Sequence, residues 1–253
     1  MNETVTVVSL KDKAVSFIWQ HMLLVASLFI MTFGVALCVR SALGSSVIST
    51  IPLVMSLAGE SGIAPAMTIG QYTYVMNFVL VGLQIAVLGR SFSPVQLFQL
   101  VIGFLFGFLL DVNMALTSDV VPAALPWQVF WQLLGCVVLA VGISLEIRCG
   151  SVTMPGEGLP VAISRRTGRP FAKVKIAVDM TLVAGAVVLG YVFFGAWQWQ
   201  VVGIGTLVAM VLVGAVVRLL DPHMEWFSRV VCYRPGFRRY VVGLARYIYR
   251  SRG

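Results

Sequence analysis

Charged side chains are scarce in this chain, and histidine is close to absent. Asp, Glu, Lys and Arg together supply 11% of its 253 residues, and there are two histidines. A soluble domain carries roughly 25% charged residues, so a water-soluble globular protein is excluded. The four cysteines (Cys38, Cys136, Cys149, Cys232) form no CxxC or other metal-ligand spacing, and His21 and His223 stand isolated near segment ends. Apolar packing is the expected role of these thiols, with no disulfide, no metal site and no cofactor. HExxH, GxSxG and clustered His/Cys ligands are missing, which argues against an enzyme. No glycine-rich phosphate loop is present, so ATP could act only through another protein.

What the chain has is apolar surface. It is 59% hydrophobic, with a mean hydropathy of +0.93. A bilayer-spanning helix needs about 20 apolar residues, and six windows qualify, near 18–39, 70–89, 95–116, 127–147, 173–194 and 198–219. The first is too long for a secretory h-region and lacks a small-residue cleavage site, so a retained span is expected. The connections are too short for a separate soluble core. The expected fold is all-α and integral to a membrane, as one membrane domain.

Positive charge is absent from alternate loops. Segments 41–69, 117–126 and 195–197 contain no Lys or Arg. Lys11 and Lys13 precede the first span, Arg90 follows the second, and Arg148, Arg165, Arg166, Arg169, Lys173 and Lys175 follow the fourth. Eight arginines lie between Arg218 and Arg252. The positive-inside rule then places both termini in the cytoplasm of a bacterial inner membrane, with residues 1–17 as a cytoplasmic N-terminal segment.

The chain also repeats itself. Phe33-Gly34-Val35-Ala36-Leu37 is answered by Val141-Gly142-Ile143-Ser144-Leu145 at an ungapped spacing of 108 residues, which also takes Arg40 to Arg148. Thr50-Ile51-Pro52-Leu53 falls on Gly158-Leu159-Pro160-Val161. With a shorter offset Asn77 meets Asp179, and Leu109-Leu110-Asp111 meets Leu219-Leu220-Asp221. Each half (18–116 and 127–221) holds three spans. An odd number makes the second copy enter from the opposite side, so the expected repeat is inverted. After the first span of each half comes a short segment rich in Gly, Pro and hydroxyl residues, Ser41–Ser56 and Cys149–Ser164. Such broken or re-entrant segments at equivalent places in two halves are the best sequence pointer to a transporter site. Gly44 and Ser45 in one, and Gly156, Glu157 and Gly158 in the other, are the candidate binding residues.

Gly34 to Arg40 followed by Ala42-Leu43-Gly44, Thr68-Ile69-Gly70-Gln71, Met154-Pro155-Gly156-Glu157-Gly158-Leu159, and Phe171-Ala172-Lys173-Val174-Lys175 with Asp179 together resemble the YczE/YyaS/YitT type of bacterial integral membrane protein. The resemblance covers roughly 15–222. It implies a multi-spanning membrane protein, in some cases associated with secondary-metabolite production, and implies no agreed substrate.

Ionisable groups at membrane depth are costly and face a cavity or a partner. Lys175 stands four residues before Asp179 on one helical face, so the two can pair. Arg148 has Asp179 or Glu157 as candidate partners across the bundle, since Glu146 projects elsewhere on its own helix. Arg40 has Gln71 or Asn77. Asp111 and Asp221 end the third and sixth spans against the helix dipole, and Arg218 could compensate Asp221. Gly103 and Gly107 offer a small-residue face, through which a homodimer could form. From residue 222 onward the chain turns basic, and Phe237, Tyr240, Val241, Leu244, Tyr247 and Ile248 keep helical spacing among arginines. That pattern suggests an amphipathic C-terminal helix on anionic lipid rather than nucleic acid. The expected function is a small-solute secondary transporter with its site between the halves, lined or gated by Gln71, Asn77, Glu146, Lys175 and Asp179 together with Arg40 and Arg148, and proton coupling is open. A non-transporting scaffold for a biosynthetic or secretion system, or a channel, are the alternatives.

Overall fold

In lipid each backbone N–H and C=O must be satisfied within its own segment, so long apolar runs become helices. The computed structural model of the chain describes residues 10–149 and 154–231, which are all-helical with no strand among them. Its helices are α1 (Leu10–Arg40), α2 (Thr50–Glu60), α3 (Ile69–Leu88), α4 (Phe98–Leu116), α5 (Leu125–Arg148), α6 (Pro155–Thr167), α7 (Phe171–Phe194), α8 (Ile204–Leu220) and α9 (Glu225–Val231). Six of them, α1, α3, α4, α5, α7 and α8, are long and apolar enough to cross a membrane. The chain is a multi-pass membrane protein. The last span starts later than hydropathy suggests, at Ile204 instead of near 198. Gly195 ends α7 in the left-handed region, and the Trp197 indole N–H donates to the Val202 carbonyl (2.7 Å), folding 195–203 into a compact turn.

Hydrogen bonds tie the ends of several spans to one another. At one face, Arg40 at the end of α1 meets the end of α4, and Ser41 meets Gln132 near the start of α5. At the other face, which carries most of the basic residues, Gln20 near the start of α1 donates to the Cys149 carbonyl after α5. Arg148 there meets Asp221 after α8.

The spans pack as two groups. In one, α5 lies along α1, with α4 on α1 and α8 on α5. A Cβ at Gly34 would come within 2.3 Å of the Leu139 nitrogen, and one at Gly142 within 2.5 Å of the Met31 nitrogen. Residues 34 and 142, like 31 and 139, are 108 apart, so the α1–α5 crossing is reciprocal at backbone contact. In the other group, α2 packs on α3 and α7, and α6 packs on the same two helices. Here Met76, Leu80 and Leu159 form a buried cluster with Ile48, Ile51, Val178 and Leu182. Leu159 of α6 therefore lies against the middle of α3, at membrane depth. Ile48, just before α2, touches Gly156 at the start of α6. The two short helices begin next to each other inside the protein and run outward to opposite faces.

The groups join unequally. Helices α3 and α4 pack along their length, with Gly70 against Gly107, Asn77 against Gly103, and the Tyr74 and Phe104 rings stacked at 4.6 Å. No comparable packing joins α7 to α8. Only 11% of the α7 window and 17% of the α8 window are buried, against 44% for α4.

Helix α9 packs on α1 and α5 through Met224, Phe227 and Val231, and the Trp19 indole donates to the Val230 carbonyl (3.0 Å). The expected N-terminal segment before Leu10 and the amphipathic helix beyond Val231 lie outside the described residues.

Candidate functional site

Four of the ionisable residues singled out in the sequence lie within electrostatic reach of one another, near the end of α5 and the starts of α6 and α7. Glu146 is buried near the end of α5, and the Met154 backbone N–H donates to its carboxylate. Glu157 occupies the first turn of α6, where the helix dipole favours negative charge, within electrostatic reach of Glu146 on one side and of Lys175 and Asp179 on the other. The Lys175 ammonium donates to the Asp179 carboxylate (2.8 Å), and these side chains keep 30% and 15% exposure. Among the described residues, three carboxyl groups share one ammonium. Burying unbalanced charge costs several kcal/mol per ion, so an arrangement of this kind answers to protons or to bound solute.

Gly156 and Gly158 let this cluster form. A Cβ at Gly156 would strike Ile48, and one at Gly158 would strike the amides of Gln84 and Gln99. Those amides stand outside the site expected from the sequence. Gln84 donates to the Pro155 carbonyl (3.2 Å), Gln99 donates to Gln84 (3.2 Å), and the Gln99 and Gln96 side-chain oxygens are buried without a partner. Their orientation follows from the chain of donors: Gln84 must present its NH2 to Pro155, so its oxygen accepts from Gln99. A primary amide inside an apolar span is itself a signal, since leaving it unpaired costs about 1–3 kcal/mol.

The matching segment of the first half is neutral. Gly44, at φ +126°, lies against Thr206 and the Gly203 nitrogen, and the Ser45 N–H donates to the Val201 carbonyl (3.0 Å). The Gly205 N–H donates to the Leu43 carbonyl (2.8 Å), and Gln132 bridges the Ser41 hydroxyl and the Gly205 carbonyl. Ser45, Ser46 and Ser49 hydrogen-bond among themselves. So the first short segment is stitched to the start of α8, and the second to the end of α3 through Gln84, which Gln99 at the start of α4 supports. Gln132 and Thr206 also stand outside the site expected from the sequence.

The remaining expected residues lie elsewhere. Arg40 donates to the Met114 carbonyl (2.7 Å) near the end of α4, not to Gln71 or Asn77. Arg148 donates to the Ser144 carbonyl (3.1 Å) and to both the carbonyl and the carboxylate of Asp221, not to Asp179 or Glu157. Both arginines cover the C-terminal end of the last helix in their half, where the free carbonyls and the dipole attract a cation. Arg148, rather than Arg218, meets Asp221, whose side chain is 72% exposed. Met114 and Asp221 thus play the same part, which aligns α4 and α8 three residues away from the Asp111–Asp221 match read in the sequence. Gln71 forms a capping box with Thr68 at the start of α3. Asn77 is buried against Gly103 with neither amide atom partnered.

A family model matches residues 18–222, and its family is described as one of unknown function, DUF6198. No curated protein and no solved structure matches the chain.

Proposed function

We infer that this chain, which belongs to DUF6198, a family of unknown function, is a secondary transporter of a small solute. The observation that carries the reading is the convergence of Glu146, Glu157, Lys175 and Asp179 beside the place where two short helices start next to each other inside the membrane domain. Carboxyl groups buried in excess of their cationic partners are costly to ionise, so they answer to protons or to bound solute. The inverted-repeat reading is supported by paired contacts: α1–α4 with α5–α8, α3–α6 with α7–α2, α2–α3 with α6–α7, and the reciprocal glycines of α1 and α5. The YczE/YyaS/YitT-type resemblance covers nearly the same residues as the family match and belongs to this proposal. So do residence in a bacterial inner membrane and a solute site between the halves.

The test is a melting scan of the purified protein against amino acids, organic acids, sugars, amines and inorganic ions, repeated with Asp179→Asn and Glu157→Gln. A solute that raises the melting temperature of the wild type and of neither variant supports the site and names its class, since a ligand at 100 Kd stabilises by about 2.7 kcal/mol. If no solute acts while both variants fold and support the host normally, a scaffold role replaces transport.

A further inference from the structure

The two halves differ in one respect that bears on how the site is reached. Helix α3 is closed against α4, whereas α7 stands away from α8. The residues at equivalent positions explain the difference. Helices α3 and α7 correspond at a spacing of 102, their starts Ile69 and Phe171 and their Asn77 and Asp179 both agreeing. Helices α4 and α8 correspond at 107, by the carbonyls of Met114 and Asp221 that accept from Arg40 and Arg148.

On this register the closed pair places neutral Asn77 at its interface, against Gly103, with Thr73 buried one turn before it. The open pair has Lys175 and Asp179 at these positions, where they keep 30% and 15% exposure. Burying an unpartnered amide between helices costs about 1–3 kcal/mol, whereas burying ions costs several kcal/mol each, which a pair repays only with excellent geometry and further hydrogen bonds. The stacked rings of Tyr74 and Phe104 have as counterparts Ile176 and Val211, which are 60% and 72% exposed. Gly107, which receives Tyr74, has Gly214 as its counterpart, with nothing within 4 Å of a Cβ there. The second half therefore has a vacant copy of the contact that the first half makes. Ala172 stands where α3 has Gly70, so the second pair would close less tightly than the first.

We propose that the cleft between α7 and α8 is the way into the site, and that α7 closes on α8 as α3 parts from α4, with the charge of the Lys175–Asp179 pair holding the cleft open. The moving unit is α2, α3, α6 and α7, which pack on one another, turning against α1, α4, α5 and α8. Solute that satisfies the pair removes the obstacle to closure. This proposal rests on the transporter reading and adds the motion, and its test needs no solute.

Cysteine pairs report the two contacts in native membranes, with Cys232→Ser, the buried Cys38, Cys136 and Cys149 retained, and single-cysteine controls. With a short bismaleimide, Tyr74→Cys/Phe104→Cys is expected to link rapidly and Ile176→Cys/Val211→Cys slowly. Adding Lys175→Thr and Asp179→Asn, which gives α7 the residues of α3, is expected to raise the 176–211 link several-fold. Locking 74–104 first, in the variant carrying all four cysteines, is expected to abolish it. A 176–211 link that does not rise with the neutral pair, or that forms equally well with 74–104 locked, overturns the proposal. Gel filtration of each variant shows that the folded protein is being compared. A solute that stabilises the protein without any change in linking rejects this motion and leaves transport standing, while exchange of the two links without a stabilising solute supports the motion and removes the solute.

Discussion

A methyl group at Gly34 would meet the Leu139 backbone, and one at Gly142 the Met31 backbone, and neither backbone can yield without moving a span. Glycine inside a helix costs about 1 kcal/mol relative to alanine, so these two positions give up propensity in exchange for the α1–α5 approach. Gly34→Ala and Gly142→Ala are each expected to lower stability by about 1–3 kcal/mol through overpacking, read as a lower melting temperature in one detergent. Gly214→Ala, with open space around it, is expected to be neutral or to gain up to about 1 kcal/mol. Equal melting of all three variants would contradict the close crossing. Legibility at this scale follows the same physics. Glu146, Glu157, Lys175 and Asp179 stand out in the sequence because charge in an apolar span is rare and needs a reason. The partners of Arg40 and Arg148 do not stand out, because they include backbone carbonyls at helix ends, which every residue possesses.

The capping of α3 shows what an element requires when its start is half-buried. Asp111, at the end of α4, accepts from the Thr68 hydroxyl (2.7 Å) and the Gly70 N–H (2.9 Å), so its charge serves the N-terminus of the neighbouring helix rather than opposing its own. Asp111→Ala leaves that N–H without its acceptor and removes a favourable charge, and is expected to cost about 1–2 kcal/mol. For a chain of this size that is about 2–4 °C in melting temperature per kcal/mol. Gln71→Ala removes only the outer half of the capping box, so a smaller loss is expected, with no effect on any solute-induced stabilisation. Loss of solute response in Gln71→Ala would return that residue to the site. The six spans are legible in the sequence through apolar length, and the two segments between them as irregular stretches, but the helices α2 and α6 are not, because Pro52, Pro155, Gly156, Gly158 and Pro160 read as breaks and yet lie inside them. The start of α8 is not, because Val201 and Val202 are as apolar as a span, yet they pack into the turn that Trp197 closes.

Across the whole molecule, charge and packing carry independent information. Hydropathy treats α7 and α8 as it treats α4, and only the packed structure shows that α7 and α8 are far less covered. The separation of α7 from α8 depends on which residues face each other across two halves, and that register is set by the contacts of Arg40 and Arg148, not by the strongest sequence match. Orientation is the converse case, set by the distribution of Lys and Arg and not by packing. The face bearing Ser61, Ser118 and the 195–203 turn has no Lys or Arg in its loops, while the face bearing Thr167 is flanked by Arg165, Arg166 and Arg169. On the positive-inside rule we propose that the second face is cytoplasmic. Ser61→Cys and Ser118→Cys are therefore expected to react with a membrane-impermeant maleimide added to intact cells. Thr167→Cys is expected to react only after the membrane is opened. All three residues are exposed or lie in exposed turns, so failure to label reports sidedness rather than burial. The reverse pattern would invert the orientation and put the α7–α8 cleft on the outer side, where the Lys175–Asp179 pair would meet solute before uptake instead of after it.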